Sequence, residues 1–323
     1  MAVVALVLAL VVWAQFSPRP GALLIRAVFD LGTAEMKEKF EKHRPTGIES
    51  TRGISYGQDA AETFDVHRRA DATGSQATIL WVHGGGWVSG DPSDAEVYFQ
   101  LLADEGYTVV SIGYSHAPGQ QYPTQLQQVD RAISHVLADA SALHVDPTRL
   151  VLAGDSAGAH LAAQTALVAT NPEYAARVGV ESALAADALV GTVLHCGPMD
   201  PARSMGQSGL SGWFVESLAW AYLGTRDADA AVLAEASITD HATPDFPPTL
   251  VSAGNGDPLA PQSEALAARL AELGVATDAL FWDGHEPALP HEYQFDLDTD
   301  AGQAALARTL AFLAGVAAAQ AER

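Results

Sequence analysis

From about residue 62 onward, short apolar runs rich in β-branched residues alternate with longer segments whose apolar positions recur at helical spacing. Strands are predicted at Thr78–Val82, Thr108–Ile112, Arg149–Ala153, Thr192–His195, Thr249–Ala253 and Ala279–Trp282. Helices are predicted between them, at Asp94–Glu105, Gln125–Ala138, Gly158–Ala169, Gln262–Leu273 and Ala301–Ala314. Strands that are apolar on both faces need cover on both faces, so this rhythm implies an α/β fold with a mostly parallel, doubly wound sheet. Sheets of this kind hold their ligands beyond the carboxyl ends of the strands, which singles out the residues that follow each predicted strand.

Composition narrows the function. At 48% hydrophobic and 17% charged residues, the chain has a core to bury and is not intrinsically disordered. A net charge of −22 repels nucleic acid and anionic membrane surfaces. A single cysteine, Cys196, can form neither an intrachain disulfide nor a multi-thiolate metal site.

Two regions break the rhythm. Met1 to Ala14 is an unbroken apolar run, shorter than the roughly 20 residues needed to span a bilayer and without a basic flank before it. A docked helix, a secretory signal and a membrane anchor all remain open readings, with a cytoplasmic location expected and a membrane-associated or secreted one as the alternative. Leu23–Phe29 and Glu35–Arg44 read as an amphipathic helical region. Between Pro201 and Pro248, a Gly/Ser-rich stretch, Trp213, Trp220 and a predicted helix at Asp227–Ala236 read as an insertion. The expected organisation is a helical cap segment over residues 1–50, a core over 51–200 and 249–323, and a cap or lid insertion over 201–248, with both caps roofing the pocket. Trp87, Trp213 and Trp220 fit an apolar pocket or the core equally well.

The predicted strand ending at Ala153 runs into Gly154-Asp155-Ser156-Ala157-Gly158 and then a helix. A G-x-S-x-G between strand and helix puts the serine on a sharp turn with its hydroxyl exposed above the sheet. After Thr78–Val82 comes His83-Gly84-Gly85-Gly86-Trp87, whose bare backbone can bring N–H donors against a developing oxyanion. The same run lacks the spacing of either common phosphate-binding loop, and His83 reads as a structural residue of that loop. A serine needs a base and an orienting carboxylate, in the chain order Ser, Asp or Glu, His for this sheet type. Asp257, in Gly254-Asn255-Gly256-Asp257-Pro258-Leu259 after a strand, is the candidate acid; a helix-capping turn aspartate is its plainer reading. Two histidines follow the last strand, His285 and His291, and either can serve as base. Pro287 and Pro290 deny them the helical spacing of a zinc site.

Over residues 60 to 318 the chain resembles the hormone-sensitive-lipase-like branch of α/β-hydrolases, the bacterial family IV carboxylesterases. The resemblance rests on His83–Trp87, Gly154–Gly158, Tyr114-Ser115-His116-Ala117-Pro118 with Tyr122-Pro123 and Asp130, and Asp257-Pro258-Leu259. It implies Ser156 as nucleophile, Asp257 as acid and the N–H groups of Gly85, Gly86 and Ala157 as oxyanion hole. That family sets its histidine in His-Gly-Phe before the last helix. His291-Glu292-Tyr293 is the nearest match, which favours His291 over His285, although Glu292 replaces the glycine. The implied activity is hydrolysis of short- to medium-chain acyl esters, a small-molecule substrate, without cofactor or metal. A non-catalytic binding protein on the same fold and an amidase or peptidase with the same triad are the alternatives.

Overall fold

The computed structural model describes residues 12–205 and 209–321. Its strands are β1 (Ile48–Ser55), β2 (Thr63–Arg69), β3 (Gln76–Val82), β4 (Thr108–Ile112), β5 (Val145–Asp155), β6 (Leu189–His195), β7 (Thr249–Ala253) and β8 (Thr277–Phe281). They form one sheet in the order β1-β2-β4-β3-β5-β6-β7-β8. β2 is antiparallel to both its neighbours and every other pairing from β4 onward is parallel.

Alternation along the central strands separates two cores. Leu80, Val82, Val110, Ile112, Leu150 and Leu152 face one side, while Ile79, Trp81, Val109, Val151 and Ala153 face the other, all buried. The first side packs on α3 (Thr124–Ala138), α4 (Ala157–Thr170) and α5 (Pro172–Val178). The second packs on α2 (Glu96–Asp104), α10 (Asp300–Ala321) and the end of α1 (Arg19–Phe40). Each fully buried aliphatic or aromatic side chain here contributes roughly 1.5–3 kcal/mol. α10 is long and apolar enough to cross a membrane over Asp300–Ala319. Its Ala301, Ala305, Thr309 and Leu313 are buried, however, and Arg308 pairs with Asp278 of β8, so it is docked on the sheet.

The six predicted strands are all present as the parallel part of the sheet. The antiparallel edge, β1 and β2, begins at Ile48, before the core boundary drawn at residue 51. Within 201–248 the structure corrects the sequence reading. A 15-residue helix, α6 (Gly209–Leu223), occupies the Gly/Ser-rich stretch, and the helix predicted at Asp227–Ala236 is reduced to α7 (Ala231–Glu235), followed by α8 (Ile238–His241) and later α9 (Ala260–Glu272). Of the apolar run Met1–Ala14, the first eleven residues lie outside the described residues.

Parallel register decides where the site forms. Val82 pairs with Gly154, so the glycine loop after β3 and the serine turn after β5 leave the sheet side by side. β7 and β8, also adjacent, deliver their loops from the same edge.

Candidate active site

Ser156 sits between β5 and α4 with φ 51° and ψ −121°, a conformation a side chain adopts only when its surroundings enforce it. Its N–H is held by the His195 carbonyl at 2.8 Å. The flanking glycines are required sterically. A β-carbon on Gly158 would lie 1.9 Å from the Val82 carbonyl oxygen, and one on Gly154 would lie 2.5 Å from the Gly158 backbone. With any larger residue α4 could not approach β3 this closely, and the turn would open.

The loops after β7 and β8 are bound to each other. The Gly256 N–H donates to the Leu289 carbonyl, the Leu289 N–H donates to Asn255 Oδ1, and Asn255 Nδ2 donates to the His285 carbonyl, at 2.8 Å each. This clamp presents Asp257 and His291 to one another. Asp257 has its side chain fully buried; Oδ1 accepts from the Leu259 N–H at 2.8 Å and Oδ2 lies 2.9 Å from His291 Nδ1. The turn-capping reading of Asp257 therefore describes one carboxylate oxygen and the acid reading the other. His291 Nε2 lies 2.9 Å from Ser156 Oγ. In the neutral imidazole, the carboxylate beside Nδ1 fixes the proton there and leaves Nε2 to accept from the serine hydroxyl. His285 points elsewhere: its Nδ1 lies 2.9 Å from the Pro287 carbonyl and its ring meets Trp282 edge-on.

Gly85 and Gly86 take φ values of 98° and 60°, which leaves a left-handed turn closed by Val88 and Ser89 N–H groups on the Gly85 carbonyl. Among the described residues, no hydrogen bond engages the N–H groups of Gly85 and Gly86. Ala157 opens α4, where the first amide groups have no partner within the helix and carry the positive end of its dipole. Over Gly86 a β-carbon would meet Leu218 of α6 and Phe29 of α1, so both cap segments close on the glycine loop. His83 is buried, stacked on Tyr114 at 4.3 Å and bonded through Nδ1 to the Gly84 carbonyl, a structural role.

Two residues of the site were not singled out from sequence. Asp155, buried beside the serine, accepts from Trp81 Nε1 at 2.7 Å and from the Gly84 N–H at 2.9 Å, which ties the serine turn to the glycine loop. Glu292 stands in the left-handed region at φ 59°, where the resemblance leads one to expect glycine. Its side chain hydrogen-bonds that of Asp155, and its Oε1 lies 3.9 Å from His291 Nε2. Two carboxyl groups in contact share a proton. Burial first and the charge of Glu292 second push the Asp155 carboxyl well above its ordinary range, so Asp155 holds that proton. The motif spelling showed Asp155 and Glu292 but no signal that they meet.

For His291 itself, burial works to depress the pKa; the hydrogen bond to Asp257 and the charges of Glu292 and Asp257 outweigh it and raise the imidazole to about 9. Cys196 is buried behind this pair, with its Sγ 3.4 Å from Gln294 Oε1. Cys196, Asp257 and His291 present ligand atoms within 4.8 Å of one another. Burial and the neighbouring Asp257 push the thiol well up, so it stays protonated, while Asp257 and His291 engage each other. The group is poorly suited to a metal, because cysteine ligates as the thiolate and the other two side chains are already bonded to each other.

A cavity of about 500 Å³ opens onto Ser156 and His291. Val28, Phe29, Met36 and Phe40 of α1 give it an apolar wall, and Asp94, Asp155, Glu292 and Asp298 give it an acidic one. Its described lining comes mainly from α1 and the loops after β3, β5 and β8, and includes no residue of 201–248. Trp87 stacks on Tyr222 at 4.4 Å in the core, Trp220 lies under Arg226, and Trp213 is partly exposed, so none of the three tryptophans lines this cavity. α1 and the turn that follows it are pinned beside it by Lys37 with Asp94 at 2.9 Å, by Lys42 with Asp298 at 2.6 Å and by Phe40 edge-on to Phe295.

Comparison with known proteins places this architecture. Residues 79–293 match a family described as alpha/beta hydrolase fold. The chain is 32% identical over 216 residues to Esterase LipC of Mycobacterium tuberculosis, covering 66% of this chain and 53% of that protein. It is also 32% identical over 234 residues to Esterase LipQ of the same organism, covering 70% and 54%. The chain thus spans about half the length of these curated relatives. Among solved structures, esterase B from Lactobacillus rhamnosis superposes with a TM-score of 0.80 at 22% identity, covering 94% of this chain and 98% of that one. An esterase from Pyrobaculum calidifontis gives 0.73 at 23% identity, covering 94% and 95%. Matched over most of its core, and as the hormone-sensitive-lipase-like motifs implied, the chain belongs to the α/β-hydrolase family.

Proposed function

We propose that the protein is a serine carboxylesterase acting on short- to medium-chain acyl esters. The observation that carries this reading is the continuous relay of two 2.9 Å contacts from Asp257 through His291 to Ser156. Ser156 Oγ attacks the ester carbonyl as Nε2 of His291 takes its proton. Asp257 holds the tautomer and stabilises the imidazolium that results. The oxyanion then rests among the N–H groups of Gly85, Gly86 and Ala157, each such donor being worth about 3 kcal/mol of barrier lowering. The imidazolium returns its proton to the departing alkoxide, and water repeats the sequence on the acyl-serine. None of these steps calls for a cofactor.

The test is a series of p-nitrophenyl esters of increasing acyl length beside a matched nitroanilide. A cavity of about 500 Å³ favours short to medium chains, so kcat/KM is expected to peak there and to fall for long ones, with the anilide far slower. Equal or faster anilide turnover points to an amidase or peptidase, and saturable binding without turnover points to a non-catalytic pocket.

The pH profile follows from the same groups. A base must be neutral to accept a proton, so with His291 raised to about 9, kcat/KM is expected to fall as pH drops through that region. Glu292→Gln removes one of the anions that favour the imidazolium, which lowers the imidazole pKa and moves the limb to lower pH. Release of Asp155 from the shared proton offsets part of this, because Asp155 then ionises. A limb that stays in place or moves upward in Glu292→Gln contradicts the assigned role of that carboxylate.

A further inference from the structure

α1 is apolar on two sides. Its inner side, with Ala22, Ile25 and Phe29, packs on the body of the protein. Its outer side carries Leu24 and Leu31, two turns apart on one helix face and 59% and 75% exposed, with the exposed Val28 between them at the rim of the cavity. Phe16, 82% exposed, lies just before the helix, and Leu210, 80% exposed, and Trp213 stand at the start of α6. The two helices are neighbours: Phe29 meets Phe214 edge-on at 5.8 Å, and a β-carbon on Gly21 would touch Ser217 and Trp213. Among the described residues, every exposed large apolar side chain lies in 12–31 or at 210 and 213. Soluble proteins rarely gather such groups on one face unless the face binds something.

Three observations say what would cover it. Residues 1–14, which precede the patch in the sequence, carry only apolar side chains, of the kind that enter a lipid leaflet. Neither 1–29 nor 209–215 contains an aspartate or glutamate, in a chain of net charge −22, so the acidic residues of α1 begin only at Asp30 and Glu35, at the far end of this face. Trp13 and Trp213, both partly exposed, are the side-chain type that settles at the membrane–water boundary. We propose that the outer face of α1, together with the start of α6, docks on the surface of a zwitterionic lipid bilayer. The acidic remainder disfavours an anionic surface. Because the inner side of the same helix lines the cavity that holds Ser156, docking sets the cavity mouth beside the lipid, where poorly soluble esters partition.

The test is flotation of the full chain with phosphatidylcholine vesicles, a readout that does not depend on the assigned chemistry. The wild type is expected to float with the vesicles. Leu24→Asp combined with Leu31→Asp should lower the bound fraction at least tenfold with an unchanged circular dichroism spectrum. Neither side chain lines the cavity, and Phe16→Asp provides a second, independent reading should the double variant fold poorly. Failure of the wild type to float overturns the proposal, as does equal flotation of all variants. So does a dimer, seen by sedimentation, that dissociates in the double variant without any vesicle binding, since a second copy would then be the occupant.

Discussion

Ser156→Ala is expected to lower turnover of a p-nitrophenyl ester by roughly 10⁴-fold or more while leaving the fold and substrate binding in place. The hydroxyl is the only atom removed, and the left-handed turn that carries it is held by groups the substitution does not touch: the His195 carbonyl on the residue's N–H and the close approach of Gly158 to Val82. Whatever rate remains measures the oxyanion donors of Gly85, Gly86 and Ala157, which need no nucleophile to polarise a carbonyl. A steady-state assay with the variant, beside its thermal melting curve, checks both halves of the statement. Activity within tenfold of wild type in a folded variant would mean that the chemistry lies elsewhere.

The second large effect separates the two histidines. His291→Ala is expected to cost about as much as Ser156→Ala, since members of one proton relay fail together, and the double variant should be scarcely worse than either single one. His285→Ala is expected to stay within about tenfold of wild type, because its ring bonds only its own turn and meets Trp282 edge-on. Any effect it has should come through the clamp that Asn255 makes with that turn, and so through stability. Measuring kcat/KM for both single variants with one substrate decides the matter; loss of activity in His285→Ala with retention in His291→Ala would reverse the assignment.

The parallel strands β3 to β7 were legible because both faces of their central residues are buried, which writes an apolar run of fixed length between turn residues; β8, only half-buried, was legible from its apolar Ala279–Trp282. β1 and β2 were not: β1 is exposed along much of its length, and β2, though buried at Phe64–His67, sets Asp65 and His67 among its apolar positions. β1 alternates exposed and half-buried positions and spells Ile-Glu-Ser-Thr-Arg-Gly-Ile-Ser, and β2 carries His67, Arg68 and Arg69. α6 was hidden by Gly209, Ser211 and Gly212 at its start and by apolar residues on every side, which leave no amphipathic period to read. At the site, Ser156 and the glycines were legible as local motifs, since their roles depend on backbone geometry that the motif itself encodes. The choice between His285 and His291 was not local. It rests on the clamp between the loops after β7 and β8, where Gly256 and Asn255 hold Leu289 in place, two residues before the base. The meeting of Asp155 with Glu292 is likewise a product of the folded chain.

The most direct measurement of the central claim is covalent labelling with a fluorophosphonate, followed by peptide mapping in a mass spectrometer. One phosphonyl group per chain is expected on Ser156, formed quickly in the wild type, slowly in His291→Ala and not at all in Ser156→Ala. A label on any other residue, or continued ester hydrolysis by a chain that takes up none, would contradict it.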